Sequence, residues 1–206
     1  MRPAFAALWN LDLAFADVVA TSSDPGLGAI RLAWWRERLE ELDAGTVPSE
    51  PRLQAVAREL VPRGITGEEL SQLEDAWLPL LQPFPWGESQ TDALKLRGRI
   101  LFGIGARLLE GDPEDAEAAG ALWSIVDAAR HCGDTYARMF LLGEGRKAIA
   151  ELPRTQPPKF LRRLTGLAAI AAHDVIRNRP LELPYGDAGR AAAAFLHYLR
   201  GTLPRA

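Results

Sequence analysis

The chain has 206 residues, 48% of them hydrophobic and 25% charged, which suits a soluble globular protein with a sizeable core. Its net charge of −3 argues against nucleic acid as a partner, because phosphate-binding domains usually carry a basic excess. Cys132 is the single cysteine, so the sequence excludes an intrachain disulfide and a thiolate zinc site and favours a reducing, cytoplasmic location.

Apolar residues recur at spacings of three and four along most of the chain, and no alternating β-branched run occurs. This pattern predicts an all-α protein, a single-domain helical bundle of about eight helices. Breaking residues place the helices at about 3–21, 26–43, 51 onward, 66–81, 90–110, 113–142, 157–178 and 187–202. Ser49 is the predicted N-cap of the third helix, and Thr66 with Glu69 forms a capping box for the fourth.

No repeat and no long linker divides the sequence, so we predict one domain over 1–206. Acidic residues interrupt the apolar N-terminal segment, and the chain offers no run of about 18 uninterrupted apolar residues. A membrane-spanning segment is therefore not expected, and any membrane contact would be peripheral.

The segment IRLAWWRERLEEL at 30–42 places tryptophans on two sides of one predicted helix. An apolar row occupies one side, and Ile30 and Trp34 point to nearly the opposite side, which predicts a helix covered on both. The row consists of Leu32, Trp35, Leu39 and Leu42. Arg31 lies beside the Trp35 row. Its guanidinium could point into a cavity, and the alternative is a snorkelling arginine on an interior helix.

A second candidate site lies in SIVDAARHCGD, where four polar residues have helical spacing. Asp127, Arg130, His131 and Asp134 can share one helix face. Three interpretations stay open: a ligand site, a pH-sensitive contact through His131, or a solvated face with i,i+3 ion pairs. A magnesium site is disfavoured, because hard cations require converging carboxylates and no two aspartates of the chain are four residues apart.

Gly103 and Gly105 lie inside a predicted helix, where each costs about 1 kcal/mol relative to alanine. Close helix packing is the first explanation, and room for a long apolar ligand is the second. Gly120 and Gly133 fall within the longest predicted helix, as points of close approach or kinking.

Three segments together resemble the squalene/phytoene synthase family of head-to-head prenyl synthases: AALWNLDLAFADVV, GLGAIRLAWWRERLEEL and GALWSIVDAARHCGD. The resemblance covers about residues 4–142 and extends to the divergent branch that includes a mitochondrial complex I assembly factor. It implies an isoprenoid-synthase-like fold, shortened at the C-terminus, and a role in isoprenoid biosynthesis or in assembly.

The residues that carry the family's chemistry do not match. Aligned on the two aspartate-rich motifs of the family, the metal-binding positions hold Ala16 and Ala20 in the first and His131 and Thr135 in the second. Magnesium ions clamped between these motifs neutralise the leaving diphosphate in the family, so their loss removes the ionising step. The resemblance therefore implies a pseudoenzyme with no catalytic residue, no metal site and no cofactor.

The leading hypothesis is a non-catalytic member of this family that binds a prenyl lipid or a protein partner. The predicted binding residues are Arg31 and Arg130 for an anionic headgroup, Trp35 and Gly103 along an apolar wall, and Asp127, His131 and Asp134 as polar contacts. The first alternative is a Mg²⁺-dependent prenyltransferase that condenses two prenyl diphosphates through displaced carboxylates. Those carboxylates would be Asp12, Asp17, Asp127 and Asp134. The second alternative is a helical interaction protein without a cavity.

Overall fold

The computed structural model describes residues 1–178 and 187–204. Throughout these ranges the regular elements are helices and no strand occurs, which confirms the all-α prediction. The chain separates into two compact units, Met1–Pro83 and Phe84–Ala206. The single domain over 1–206 stays a prediction.

The first unit contains five α-helices and two short 3₁₀ turns. They are α1 (Arg2–Thr21), α2 (Pro25–Asp43), α3 (Pro51–Glu59), a 3₁₀ turn (Val61–Arg63), α4 (Gly67–Ser71), α5 (Leu73–Trp77) and a second 3₁₀ turn (Leu78–Leu81). The bounds of α1 and α2 agree with the predicted ones, because Pro3 and the Asp24-Pro25 pair are strong start signals. The predicted fourth helix is instead α4, α5 and a 3₁₀ turn.

Side chains cap the predicted helix starts, with one correction. The Asp24 carboxylate accepts hydrogen bonds from the backbone N–H groups of Gly26 and Leu27 at 2.7 and 3.1 Å. The Thr66 hydroxyl accepts from the N–H of Glu69 at 3.0 Å, as half of the predicted capping box. The prediction of Ser49 as the cap of α3 was wrong: the N-cap is Glu50, whose carboxylate accepts from the N–H of Leu53 at 2.8 Å.

By length and composition, helix α1 is long and apolar enough to cross a membrane, and 44% of its most apolar 18-residue stretch is buried within the structure. Core helices of soluble proteins and signal sequences meet the same criterion. Asp12, on the buried face of this helix, accepts a hydrogen bond from the Trp77 indole N–H at 3.0 Å. The bond satisfies a carboxylate that would otherwise be costly to bury.

Within residues 1–178 and 187–204, the tryptophan helix α2 is covered on one side only, and this contradicts the prediction of two covered sides. Trp35 is buried and packs against Phe15, with ring centroids 6.0 Å apart. Ile30 and Trp34 are 68% and 41% exposed. Helical periodicity identified both apolar sides but could not tell which side meets a neighbouring helix.

The part of the second unit that the structure describes contains five further α-helices. They are α6 (Glu88–Leu108), α7 (Glu114–His131), α8 (Thr135–Glu151), a 3₁₀ turn (Lys159–Leu161), α9 (Arg162–Ile176) and α10 (Ala188–Arg200). The predicted helix over 113–142 is two helices, α7 and α8, so the structure has more helices than the predicted eight or so. The extended backbone of Cys132 ends α7, and Asp134 caps α8 by accepting from the N–H of Ala137 at 2.7 Å.

Backbone meets backbone where α6 crosses α7. A Cβ atom built on Gly98 would lie 2.0 Å from the carbonyl oxygen of Gly120, and one on Gly120 would lie 2.1 Å from that of Gly98. This confirms Gly120 as a point of close approach. A Cβ on Gly103 would be in ordinary contact with Pro113 and Glu117, at 3.4 and 3.5 Å. Helix α6 therefore approaches its neighbour more closely at Gly98 than at Gly103, and the sequence pattern did not single out Gly98.

Helix α10 packs antiparallel on α9. The Arg162 guanidinium, at the start of α9, donates to the carbonyls of Tyr198 and Leu199 at the end of α10, at 3.2 and 2.9 Å. Arg190, at the start of α10, bonds Asp174 near the end of α9. The predicted loop between the two helices falls mostly outside the described residues.

Candidate functional site

The polar residues of α7 contact arginines and aspartates of neighbouring helices. Asp127 is buried, and its carboxylate accepts from the Arg97 guanidinium of α6 at 3.0 Å. The same guanidinium reaches the Ser124 hydroxyl at 3.4 Å and lies 5.0 Å from the ring centroid of Trp123. A buried charge pair requires such additional contacts, because desolvation otherwise exceeds the Coulomb attraction.

A second charge cluster is centred on Asp174, which is fully buried on α9. Its carboxylate accepts from the Arg130 guanidinium at 2.7 Å. It also accepts from Arg190 through Nε at 2.9 Å and pairs with Nη2 at 2.7 Å. The His173 imidazole is 3.4 Å away. One carboxylate thus serves two buried arginines, and it ties α7, α9 and α10 together.

These contacts correct the predicted polar face. Asp127 and Arg130 pair with other helices instead of with each other, and α7 ends at His131. The His131 side chain is 76% exposed and donates from Nδ1 to the Asp127 carbonyl at 2.9 Å. Asp134 lies beyond the end of the helix as the cap of α8. Four residues at helical spacing therefore do not form one face.

The other predicted binding residues have structural contacts of their own. Arg31, in the first unit, is exposed, and its guanidinium donates to the hydroxyls of Thr21 and Ser22 at 3.2 Å each. Trp35 belongs to the apolar core of that unit. Gly103 is buried on α6, beside Pro113 and Glu117. Whether Arg31 and Trp35 share a site with Arg130 and Gly103 stays a prediction.

The four carboxylates of the prenyltransferase alternative also have hydrogen-bond or ion-pair partners. Asp17 is paired with Arg52 at 3.1 Å, Asp12 with Trp77, Asp127 with Arg97, and Asp134 with its own helix start. Within residues 1–178 and 187–204, no cluster of three or more His, Cys, Asp or Glu side chains has the arrangement that a metal ion needs.

A cavity of about 490 Å³ opens in the second unit, between the start of α7 and the segments 153–157 and 201–203. Its polar lining includes Glu114, Asp115, Arg154, Gln156 and Thr165. The volume is within the range of small-ligand sites. Its charged lining, however, does not suit a long apolar chain.

A buried histidine supports one wall of this cavity. His197 donates from Nδ1 to the Thr202 carbonyl at 3.1 Å, so its Nε2 accepts from the Thr165 hydroxyl at 2.8 Å. Burial lowers the pKa of His197 below its usual 6.5, the Thr202 hydrogen bond opposes this change, and the nearby Arg162 charge adds to it. The neutral imidazole therefore holds the end of the chain against α9.

Sequence reasoning missed Arg97, Asp174 and Arg190 as members of the polar clusters. Each stands in an apolar or alanine-rich helix, where a charged residue at a core position signals an ion pair. The pattern shows that such a residue must be paired. It does not show with which helix.

Comparisons with protein-family models, with curated proteins and with solved structures found no match.

Proposed function

We propose that the chain is a non-catalytic, squalene/phytoene-synthase-like helical protein that acts by binding a protein partner, in an assembly-factor-like role. The observation that carries this proposal is the pairing of its buried carboxylates. Asp127 and Asp174 face guanidinium groups at 3.0 and 2.7 Å, so arginine occupies the place next to each carboxylate that a divalent cation would need. If either carboxylate turned away from its arginine to bind a cation, the buried guanidinium would lose a counter-charge, which is costly.

A binding role is supported by the uncovered side of α2. Leu27, Ile30 and Trp34 are exposed and recur at i, i+3 and i+7, so they form one apolar row. Arg31 lies beside this row. Large aromatic side chains with an adjacent arginine are typical of interface centres.

A direct assay separates this proposal from prenyl transfer. Purified protein is incubated with farnesyl or geranylgeranyl diphosphate and Mg²⁺, and pyrophosphate and lipid products are measured. We expect no release above the protein-free control. Pyrophosphate release with a C30 or C40 product would establish the prenyltransferase instead.

Binding of a prenyl lipid is tested separately. Isothermal titration of geranylgeranyl diphosphate without metal compares the wild type with Arg31→Gln and with Arg58→Gln, a matched exposed arginine of the same unit. We expect no saturable binding in any of the three. Saturable binding that Arg31→Gln alone weakens would replace the protein partner with a prenyl lipid.

The protein partner is tested by a photo-crosslinking residue at Ile30 in cells, with the same residue at Arg58 as the control. We expect one adduct of defined mass from position 30 only, lost when Leu27→Ser and Trp34→Ser are combined. Adducts of equal yield at both positions would contradict a specific surface on α2.

A further inference from the structure

Helix α10 has an exposed face without a charged residue. At 100° per residue, Ala188, Ala191, Ala192, Phe195 and Leu199 fall within about 100° of arc, with Leu196 at its border. Phe195, Leu196 and Leu199 are 61%, 46% and 55% exposed. The inner face of α10 carries Arg190, Ala193 and His197, and its two polar side chains bond to α9. The large apolar side chains of the helix therefore lie on the exposed face, as in surfaces that bind a partner or a membrane.

Arginines lie at both edges of this face. Arg200 follows Leu196 by one turn on one edge. On the other edge, the Arg163 guanidinium of α9 lies 6.0 Å from the ring centroid of Tyr198. Both arginines are exposed. The apolar side chains are therefore flanked by cations whose long stems can follow the face while their charged ends stay in water.

The surroundings of the face are basic, although the chain as a whole is acidic. From Leu152 to His173 and from Ala188 to Pro204 the sequence contains no Asp or Glu. Lys159 lies at the same end, because the start of α9 packs on the end of α10. Carboxylates also border this end. Glu114 and Asp115 line the cavity together with Gly201 and Thr202, and Gly111, between Glu110 and Asp112, lies against Phe160 and Leu161.

We propose that the outer face of α10 docks on an anionic lipid bilayer. Phe195, Leu196 and Leu199 enter the boundary between headgroups and acyl chains, and Arg163 and Arg200 bind lipid phosphates at the two edges. An apolar face with aromatic and leucine side chains and basic borders is the arrangement by which helices lie in the plane of a membrane surface. Its residues differ from those of the apolar row on α2.

A second copy of the chain fits the face less well than a bilayer does. The three large side chains expose roughly 300 Å², against about 800 Å² per partner in a stable protein interface. A symmetric contact would also bring the arginines of two copies close together. A bilayer imposes no such area requirement and supplies the opposite charge.

Vesicle flotation with the full chain tests the proposal. Vesicles of phosphatidylcholine alone are compared with vesicles that contain roughly one third phosphatidylglycerol. We expect the protein to float with the anionic vesicles only, and to be released by high salt. Equal partition into both kinds of vesicle, or into neither, would overturn the proposal.

Paired variants locate the surface. Phe195→Ser should weaken partition into anionic vesicles by about tenfold or more. Val47→Ser, at an exposed apolar position of the first unit, should leave it unchanged. Arg163→Gln and Arg200→Gln should each weaken it about fivefold, with Arg58→Gln as the neutral control.

Leu196→Ser replaces Phe195→Ser if the circular dichroism of the latter shows unfolding. Unchanged partition in the α10 variants would exclude this face. Dimerisation lost in Leu199→Ser without vesicle binding would assign the face to a second copy.

Discussion

The crossing of α6 and α7 at Gly98 and Gly120 predicts a large cost for a single methyl group. In Gly98→Ala the new Cβ would lie 2.0 Å from the Gly120 carbonyl oxygen and 2.7 Å from the Ala121 nitrogen, whereas ordinary contact begins at 3.4 Å. The helices must therefore separate by more than 1 Å. Both obstructing atoms belong to the backbone of α7, so no side-chain rotation can relieve the overlap.

The net effect is a balance of two contributions. Overpacking in a close-packed core costs about 3 kcal/mol at the upper end of the usual range, and replacing a helical glycine with alanine gains about 1 kcal/mol. We expect Gly98→Ala to lower the free energy of unfolding by about 2 kcal/mol. In a chain of this length that loss lowers Tm by about 4–8 °C.

Gly166→Ala is the matched control. Gly166 is also buried within a helix, α9, but a Cβ there would meet no atom within 4 Å. This substitution should raise the free energy of unfolding by about 0.5–1 kcal/mol. Both variants are measured by urea and thermal unfolding, followed by circular dichroism. If Gly98→Ala is as stable as Gly166→Ala, the close approach of α6 and α7 is refuted.

Three further predictions concern buried charges. Asp127→Ala removes the carboxylate that pairs with the buried Arg97 guanidinium, and it should lower the free energy of unfolding in urea by about 3–5 kcal/mol. Asp134→Ala removes only a helix cap and should lower it by about 1 kcal/mol. Equal losses would contradict the buried pair. Because burial lowers the pKa of His197, the unfolded chain binds its proton first, and stability should fall as pH drops below 6.5. His197→Gln should flatten this part of the pH profile, and an unchanged profile would exclude His197 as its source. Glu74 is buried on α5, and its carboxylate pairs with Arg36 at 3.0 Å. Burial raises the pKa of Glu74 above 4.5 and Arg36 opposes this change, so the stabilising contribution of Glu74 is present below pH 4.5 and is lost as pH rises. The stability of Glu74→Gln relative to the wild type should therefore increase between pH 4 and 7, and a decrease would contradict this assignment.

Local signals predicted where most helices begin and end. Asp24, Thr66 and the prolines near the starts of α1 and α2 act through atoms within a few residues, so the sequence contains the whole cause. The same reasoning overlooked the break after His131. The helical spacing of apolar residues continues across this break. The pattern therefore did not reveal that Asp134 caps the start of α8.

The candidate site was predicted less well, because its contacts join residues far apart in the chain. Asp127 and Arg130 are three residues apart, and an i,i+3 pair was a sound expectation. In the structure Asp127 pairs with Arg97 and Arg130 with Asp174, at separations of 30 and 44 residues. A side chain's periodicity shows that it faces inward, but its partner depends on which helices pack together.

The sequence by itself therefore determined the helical class and most helix ends. Helix formation and capping depend on bonds within one turn, and these are encoded locally. Tertiary structure alone decided which carboxylates meet which arginines and where α6 touches α7. It also decided that no other described residue covers the outer faces of α2 and α10. Each of these depends on the distance between helices, and that distance is set by packing of the whole unit.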